Sequence, residues 1–414
     1  MTTVAKIQTF TLAAIAIILA AAIVAFPKTS VDASVSGLKV WWNVVFPSLL
    51  PFFILSELLI GFGVVTFIGV LLEPIMRPIF KVPGIGGFVF VMGLASGFPA
   101  GAKFTARLYE QNQLTKTEAE RLASFTNFSN PLFMSGAIAY GFFGKASLGI
   151  ILMLSHYIGN ICVGLLMRFY KSWERSSEET RLSPMILGKA LRRMHRERMK
   201  NKQPIGQLLG DAVQSSVQTL LMVGGFIILF SVLNQLLEQL NITAVLATIV
   251  KYVFALLHIT PELSSGFIPG LFEITVGARK ISEIQAPLME AVIVTSFILG
   301  FCGLSIQAQV ASILAQARLD SKPFFIGRIF HGLFAAIVSG FLFMFMYRED
   351  QTSFNGADTI PVLTSPHGQL DFLSTLNVFW HDSLHWGSWV TLLSLILFVL
   401  VTASRLSSQQ KPRY

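Results

Sequence analysis

Apolar residues fill this chain in runs of bilayer-spanning length, and the polar positions that interrupt the runs fall into a repeated order. Residues 7–26, IQTFTLAAIAIILAAAIVAF, carry no charge and are long enough to cross a membrane as a helix. Lys6 before the run and the small residues near Ala33 also fit a cleaved signal peptide, and both readings start the chain on the inner side. From Leu38, LKVWWNVVFPSLLPFFILSELLIGFG predicts a second span, bent by Pro47 and Pro51, with Trp41 and Trp42 at interfacial height. In residues 64–82, Glu73, Arg77 and Lys81 recur at four-residue spacing, which predicts a helix lying in the interface or across the bundle. Further apolar runs at 138–170, 208–237, 242–257, 289–299, 324–347 and 389–401 predict more membrane helices.

Two stretches break this pattern in the same way. Gly97 opens GFPAGAK and Gly270 opens GLFEITVGAR. Each is followed by a polar passage and a second interruption, FSNP at 128–131 and FCGLS at 301–305. The spacing from Gly97 to Asn130 equals that from Gly270 to Gly303, so the chain reads as two copies of one unit. Gly93, Gly97 and Gly101 stand four residues apart, a spacing that also serves close helix packing. Pro99 within the run and Lys103 after it favour a break. Thr115 and Glu118 predict a capping box at the start of a following helix. Non-helical backbone at membrane depth persists only where protein or a watery cavity satisfies it, and duplicated breaks of this kind point to the central site of a transporter.

Composition sets the class: 53% of the residues are hydrophobic and 13% charged, as in a polytopic helical membrane protein. The net charge of +9 does not indicate nucleic-acid binding, because ten Lys/Arg against four Asp/Glu fall between Lys171 and Lys202. A basic loop of this kind marks the cytoplasmic side. Residues 348–385, with Glu349, Asp350, Asp358, Asp371 and Asp382 against Arg348, then lie outside, and the tail with Arg405, Lys411 and Arg413 lies inside. Each copy crosses an odd number of times on this count, which inverts one copy relative to the other. The expected architecture is an all-α polytopic membrane protein of two inverted repeats with broken, re-entrant helices and peripheral N- and C-terminal spans. Its parts are an N-terminal helix (1–36), a first repeat (37–170), a basic loop (171–206), a second repeat (207–347), an extracytoplasmic loop (348–386) and a last span with tail (387–414).

The candidate ligands gather at the breaks. The first copy offers Ser96, Gly97, Lys103, Arg107, Ser124, Thr126, Asn127, Ser129 and Asn130; the second offers Glu273, Thr275, Arg279, Lys280, Ser305, Gln307 and Gln309. Ionisable residues within spanning segments are costly enough to imply a partner or a substrate path. Gly101-Ala102-Lys103 and Gly277-Ala278-Arg279 give each copy a cation beside a helix start, which suits a substrate bearing carboxylates or phosphates. The rival reading for either cation is snorkelling at a helix end. Glu273 has no cation near it in sequence, so it either accepts a proton or coupling cation or pairs with Lys103 or Arg279 across the repeat axis. His156 and His331, the latter near Arg328, read as packed or paired residues.

Enzyme signatures are missing: there is no G-x-S-x-G elbow, Walker loop or H-E-x-x-H. His381 and His385 flank Asp382 at helical spacing, which reads as an interfacial helix rather than a metal site. Cys162 and Cys302 offer neither a disulfide framework nor a thiolate metal site, and no cofactor is expected.

The segments WWNVVFPSLLPFFI, LLEPIMRPIF, SGFPAGAKFTARL, EAERLASFTNFSNPLFMSGAIA and GLFEITVGA together resemble the sporulation integral membrane proteins of the YlbJ type, within the nucleoside-recognition or "gate" group. The resemblance extends over most of residues 37–345. It implies a fold like that of concentrative nucleoside transporters and a role in moving dipicolinic acid across the outer forespore membrane. On that basis residues 97–103, 124–131 and 270–277 would line the site, with a small planar dicarboxylate as ligand. A nucleoside carrier and a non-transporting membrane scaffold are the alternatives, and the coupling ion, H+ or Na+, and the oligomeric state stay open.

Overall fold

The computed structural model describes residues 3–174, 177, 186–200 and 203–347. The expectations for 348–386, for His381 and His385, and for the last span lie outside the described residues. Every regular element among the described residues is helical.

Helix α1 (Thr3–Ala25) meets α2 (Pro27–Val40) at a bend of 102°. Proline has no N–H to continue a helix but fits the first turn of a new one, and Pro27 occupies that place. A π-helical turn, Trp41–Val45, carries α2 into α3 (Phe46–Gly61), just before Pro47 removes a backbone donor. After an 83° bend at Phe62 and Gly63 comes α4 (Val64–Phe80). Helices α5 (Ile85–Ser96) and α6 (Ala100–Glu110) form a hairpin whose tip is Gly97-Phe98-Pro99. Next come α7 (Lys116–Phe125), an open stretch at 126–130, a π-helical segment Phe133–Phe142, and the span α8 (Leu148–Met167).

The basic loop contains a helix of its own, α9 (Ile186–Lys200), which packs on α4. The second copy follows. It begins with α10 (Ile205–Gln239) and α11 (Ile242–Leu256) and continues with a hairpin of α12 (Ser264–Phe272) and α13 (Ile274–Glu283). A kinked span, α14 (Leu288–Phe301) and α15 (Gly303–Gln316), leads to α16 (Lys322–Met346).

Equivalent elements of the two copies run in opposite directions. Lys145 Nζ, just before α8, lies 3.1 Å from the Tyr347 hydroxyl, just after α16. At the other end, Glu120 accepts from Tyr170 beyond α8 (3.0 Å) and from the Asp320 N–H before α16 (3.2 Å). The long helices that open the copies are likewise antiparallel: Ser231 on α10 donates to the Ala33 carbonyl (2.9 Å), and Ser215 donates to Glu57 on α3 (3.1 Å). Cross-copy contacts also come in matched pairs. Helix α6 packs on α15 as α13 packs on the π-helical segment, and α7 packs on α16 as α14 packs on α8. The two copies are inverted repeats.

Each hairpin arm holds 9–12 residues. At about 1.5 Å per residue an arm rises some 14–18 Å, half of a bilayer core, so the hairpins are re-entrant rather than spanning. Among the described residues, four helices (α8, α10, α14 joined to α15, and α16) are long and apolar enough to cross a membrane, and up to six segments are if each bent pair counts as one. Two large apolar clusters among the described residues sit under these elements, and a small third one joins Ala22 and Ala33 to Val232 and Leu236. One large cluster is built around Phe53, Phe88, Phe104 and Phe125, the other around Ile138, Leu152, Ile281 and Ile298.

One expectation about this framework changes and another, the packing of the charged helix across the bundle, gains its detail. Trp41 does not sit in an interfacial belt: it is 7% exposed, and its indole donates to the Leu220 carbonyl of α10 at 2.8 Å, while Trp42 faces outward. The charged face of α4 is turned inward, where Glu73 pairs with Arg77 and accepts from the Gly84 N–H. In both cases a polar atom finds a backbone or ionic partner inside the bundle, which offsets the cost of burial.

Candidate functional site

The first break is a polar joint stitched by side chains. Gly101 on α6 lies so close to the Thr126 carbonyl that a Cβ there would come within 2.1 Å of it, so only glycine lets α6 approach the end of α7. Asn127 then bridges the two helices. Its Oδ1 accepts from the Ala102 N–H at the start of α6 (2.9 Å), and its Nδ2 donates to Ala123 (2.9 Å). Asn130 does the same for the next pair, capping the Phe133 N–H (2.8 Å) and donating to the Ser96 carbonyl (3.4 Å). Ser124 and Thr126 donate back into their own helix. The expected capping box at Thr115 and Glu118 is present.

From the other repeat, Arg328 on α16 reaches into this joint. Its guanidinium donates to the carbonyls of Asn127 (2.5 Å) and Ser124 and to Asn160 Oδ1 (3.2 Å). No carboxylate pairs with Arg328 among the described residues; its charge faces the carbonyl end of α7, the negative end of that helix. The neighbouring imidazoles are fixed by their partners. His331 Nε2 meets the His156 carbonyl (2.7 Å), which only accepts, so Nδ1 is left to accept from Arg328 (2.9 Å). His156 Nε2 accepts the Ser129 N–H (3.0 Å), and Tyr157 donates to the Ser129 carbonyl (3.1 Å). The histidines are packed members of the joint, in line with the reading from sequence.

The second break is tighter. Glu273 is the single residue between α12 and α13, and its carboxylate caps α13 at the Val276 N–H (2.8 Å). Glu273 pairs with neither Lys103 nor Arg279, and its neighbour Thr275 lies in the same first turn of α13. Gly277 meets Gly270 so closely that an added Cβ would fall 2.1 Å from the Gly270 Cα, which seals the hairpin. Between α14 and α15 the interruption is made by two successive left-handed residues, Cys302 and Gly303 (φ +63° each). Ser305, Gln307 and Gln309 are buried on α15, and Gln307 donates to the Phe301 carbonyl across the kink (2.8 Å).

The two cations part company. Lys103 is buried, its side chain only 7% exposed, with Nζ 3.5 Å from Glu57 and 4.5 Å from the centre of the Phe53 ring. Arg279 is 70% exposed and pairs with Glu283 one turn on (3.1 Å). Lys280 pairs with Glu238 at the end of α10 (2.7 Å). The Gly-Ala-cation triplets are out of register, since six residues separate Gly97 from Lys103 and nine separate Gly270 from Arg279. Lys103 and Arg279 therefore do not form one cationic pair.

Lys103 instead belongs to a cavity of about 480 Å³ between α3, α6, α10 and α15. Its polar lining comes from Glu57, Lys103, Arg107 and Glu110 with Ser215, Gln218, Thr219, Ser312 and Gln316. That volume and a few convergent polar groups suit a small molecule. Glu57, Ser215 and Ser312 escaped the reading from sequence. For Glu57 the signal was present: it is the lone acid in the apolar run FFILSELLIG.

Inverted repeats, each a re-entrant hairpin followed by an interrupted span around a polar centre, define a gate-type membrane protein. The nucleoside-recognition (Gate) family model matches residues 42–146 and 220–317, one stretch in each repeat. The sporulation integral membrane protein YlbJ of Bacillus subtilis is 48% identical over 98% of this chain and 98% of its own length. An uncharacterized protein of Alkalihalophilus pseudofirmus is 31% identical over 113 residues, 27% of this chain and 23% of its own. The chain belongs to the YlbJ family of sporulation integral membrane proteins.

Proposed function

We propose that the protein is a secondary transporter of a small anionic metabolite, dipicolinate by its family resemblance, acting in the outer forespore membrane with the basic loop in the cytoplasm. The observation that carries the reading is the placement of a buried lysine and a half-exposed arginine in a polar cavity beside the re-entrant hairpin of an inverted-repeat fold. Lys103 and Arg107 would meet the carboxylates. The residues at the breaks, Ser96, Gly97, Ser124, Asn127, Ser129 and Asn130 in one repeat and Glu273, Thr275, Ser305 and Gln307 in the other, would border the substrate path. The name of the Bacillus subtilis relative supports the setting in sporulation.

A nucleoside-type carrier is the second reading, favoured by the nucleoside-recognition match and by the amide and hydroxyl groups of Gln218, Thr219 and Gln316 in the cavity. Uptake of labelled dipicolinate, purine nucleosides and simple dicarboxylates into proteoliposomes, with and without sodium or a pH gradient, separates the readings. Uptake of dipicolinate ahead of the others supports the first, and preference for nucleosides replaces it with the second. Uptake of none sinks both in favour of a membrane scaffold.

A further inference from the structure

We propose that Glu57 is an internal stand-in for the substrate carboxylate: it occupies the cations of the cavity when substrate is absent and latches the hairpin to the frame until substrate displaces it. This rests on the transport reading above. Glu57 Oε1 lies 3.5 Å from Lys103 Nζ and accepts from Ser215 Oγ at 3.1 Å, while Oε2 lies 3.6 Å from Arg107 Nε. One carboxylate on α3 thus ties α6, the returning arm of the hairpin, to the long helix α10.

The grip on the lysine is loose. At 3.5 Å the contact is an ion pair longer than an ordinary hydrogen bond, and Lys103 Nζ makes no hydrogen bond among the described residues although it is buried. Its donors meet Glu57 only at ion-pair distance and otherwise the Phe53 ring, and the Lys103 side chain lines the cavity, so a ligand reaches the ammonium once Glu57 gives way. A free carboxylate able to approach to hydrogen-bonding distance gains more from Lys103 than Glu57 does. Charge follows the same logic. Glu57 and Glu110 balance Lys103 and Arg107 in the cavity without ligand, so an anion enters favourably only by taking over the cations that Glu57 holds. Displaced, Glu57 no longer joins α3 to α6, and substrate binding frees the hairpin arm to move against the frame.

Binding of dipicolinate to the purified full chain tests this, comparing wild type with Glu57→Gln, Glu110→Gln and Ser215→Ala. Glu110 sits in the same cavity but forms no ion pair among the described residues, so its variant controls for net charge alone. Glu57→Gln is expected to bind about ten-fold tighter or more and Ser215→Ala about three-fold tighter, while Glu110→Gln, which removes the same charge without releasing an ion pair, is expected to tighten binding clearly less than Glu57→Gln. Equal or weaker binding by Glu57→Gln, or equal tightening by Glu110→Gln, overturns the inference while leaving the transport reading in place. If Glu57→Gln does not purify in a folded state, Ser215→Ala decides: tighter binding supports the latch, and unchanged or weaker binding overturns it. Failure of every variant and of wild type to bind dipicolinate overturns the transport reading and this inference together.

Discussion

Arg328 donates to the carbonyl of Asn127 at 2.5 Å, so the last described span of the second repeat holds open the break of the first. A buried guanidinium satisfied by carbonyls is strong only while its planar fork meets all its acceptors. Arg328→Met leaves the carbonyls of Ser124 and Asn127 and the amide of Asn160 without this donor, and Arg328→Lys supplies a single point donor in its place. Both variants are expected to lose about 3 kcal/mol of stability, lysine recovering little, as read from thermal unfolding of detergent-purified protein. Wild-type melting by either variant would mean that the joint does not depend on Arg328.

This joint marks how far the residues alone could be read. The breaks at Gly97 and at Phe128–Pro131, the capping box at Thr115 and the inverted pairing of the copies were legible, because Pro, Gly and capping residues act locally and loop charge acts by simple count. The partners of the polar residues were not. Asn127 looked like a ligand, yet its amide is spent on Ala102 and Ala123. Lys103 and Arg279 looked equivalent, yet a three-residue difference in register places one in a cavity and the other at an exposed helix end. Such pairings join residues far apart in sequence, as with Ser215 and Glu57, and no local pattern encodes them.

The orientation is open to a direct check. A cysteine at Arg192, on the basic α9, is expected to be protected from an impermeant reagent added outside intact cells, and one at Lys145, at the opposite end of the bundle, to react. Cys162 is replaced beforehand to remove background. The reverse labelling would invert the protein in the membrane, and labelling of both positions would mean that α8 does not cross it.

Arg279 provides a contrast within the second repeat. Its pair with Glu283 is exposed and spaced four residues along one helix, a kind of contact that contributes only about 0.3–0.5 kcal/mol. Arg279→Gln is therefore expected to melt within about a degree or two of wild type and to keep dipicolinate affinity within about two-fold. A large loss of affinity with normal insertion would return Arg279 to the substrate path and require the second hairpin to move toward the cavity during transport.

Lys103 is the residue on which the transport reading depends most. Its ammonium is the buried cation of the cavity, and a carboxylate reaching it would form a charge-assisted hydrogen bond worth about 1.5–3 kcal/mol. Lys103→Gln should weaken dipicolinate binding by roughly ten- to a hundred-fold, with a smaller loss for pyridine-2-carboxylate, because only the dicarboxylate engages Lys103 and Arg107 together. Lys103→Arg keeps the charge but places a larger planar group against Phe53, so it should recover binding only in part. The same variants should leave purine nucleoside binding nearly unchanged, since a neutral ligand gains little from the ammonium. If Lys103→Gln inserts normally and binds the dicarboxylate as wild type does, Lys103 serves only to neutralise Glu57, and the substrate must be sought at the polar joint around Ser129 and Asn130.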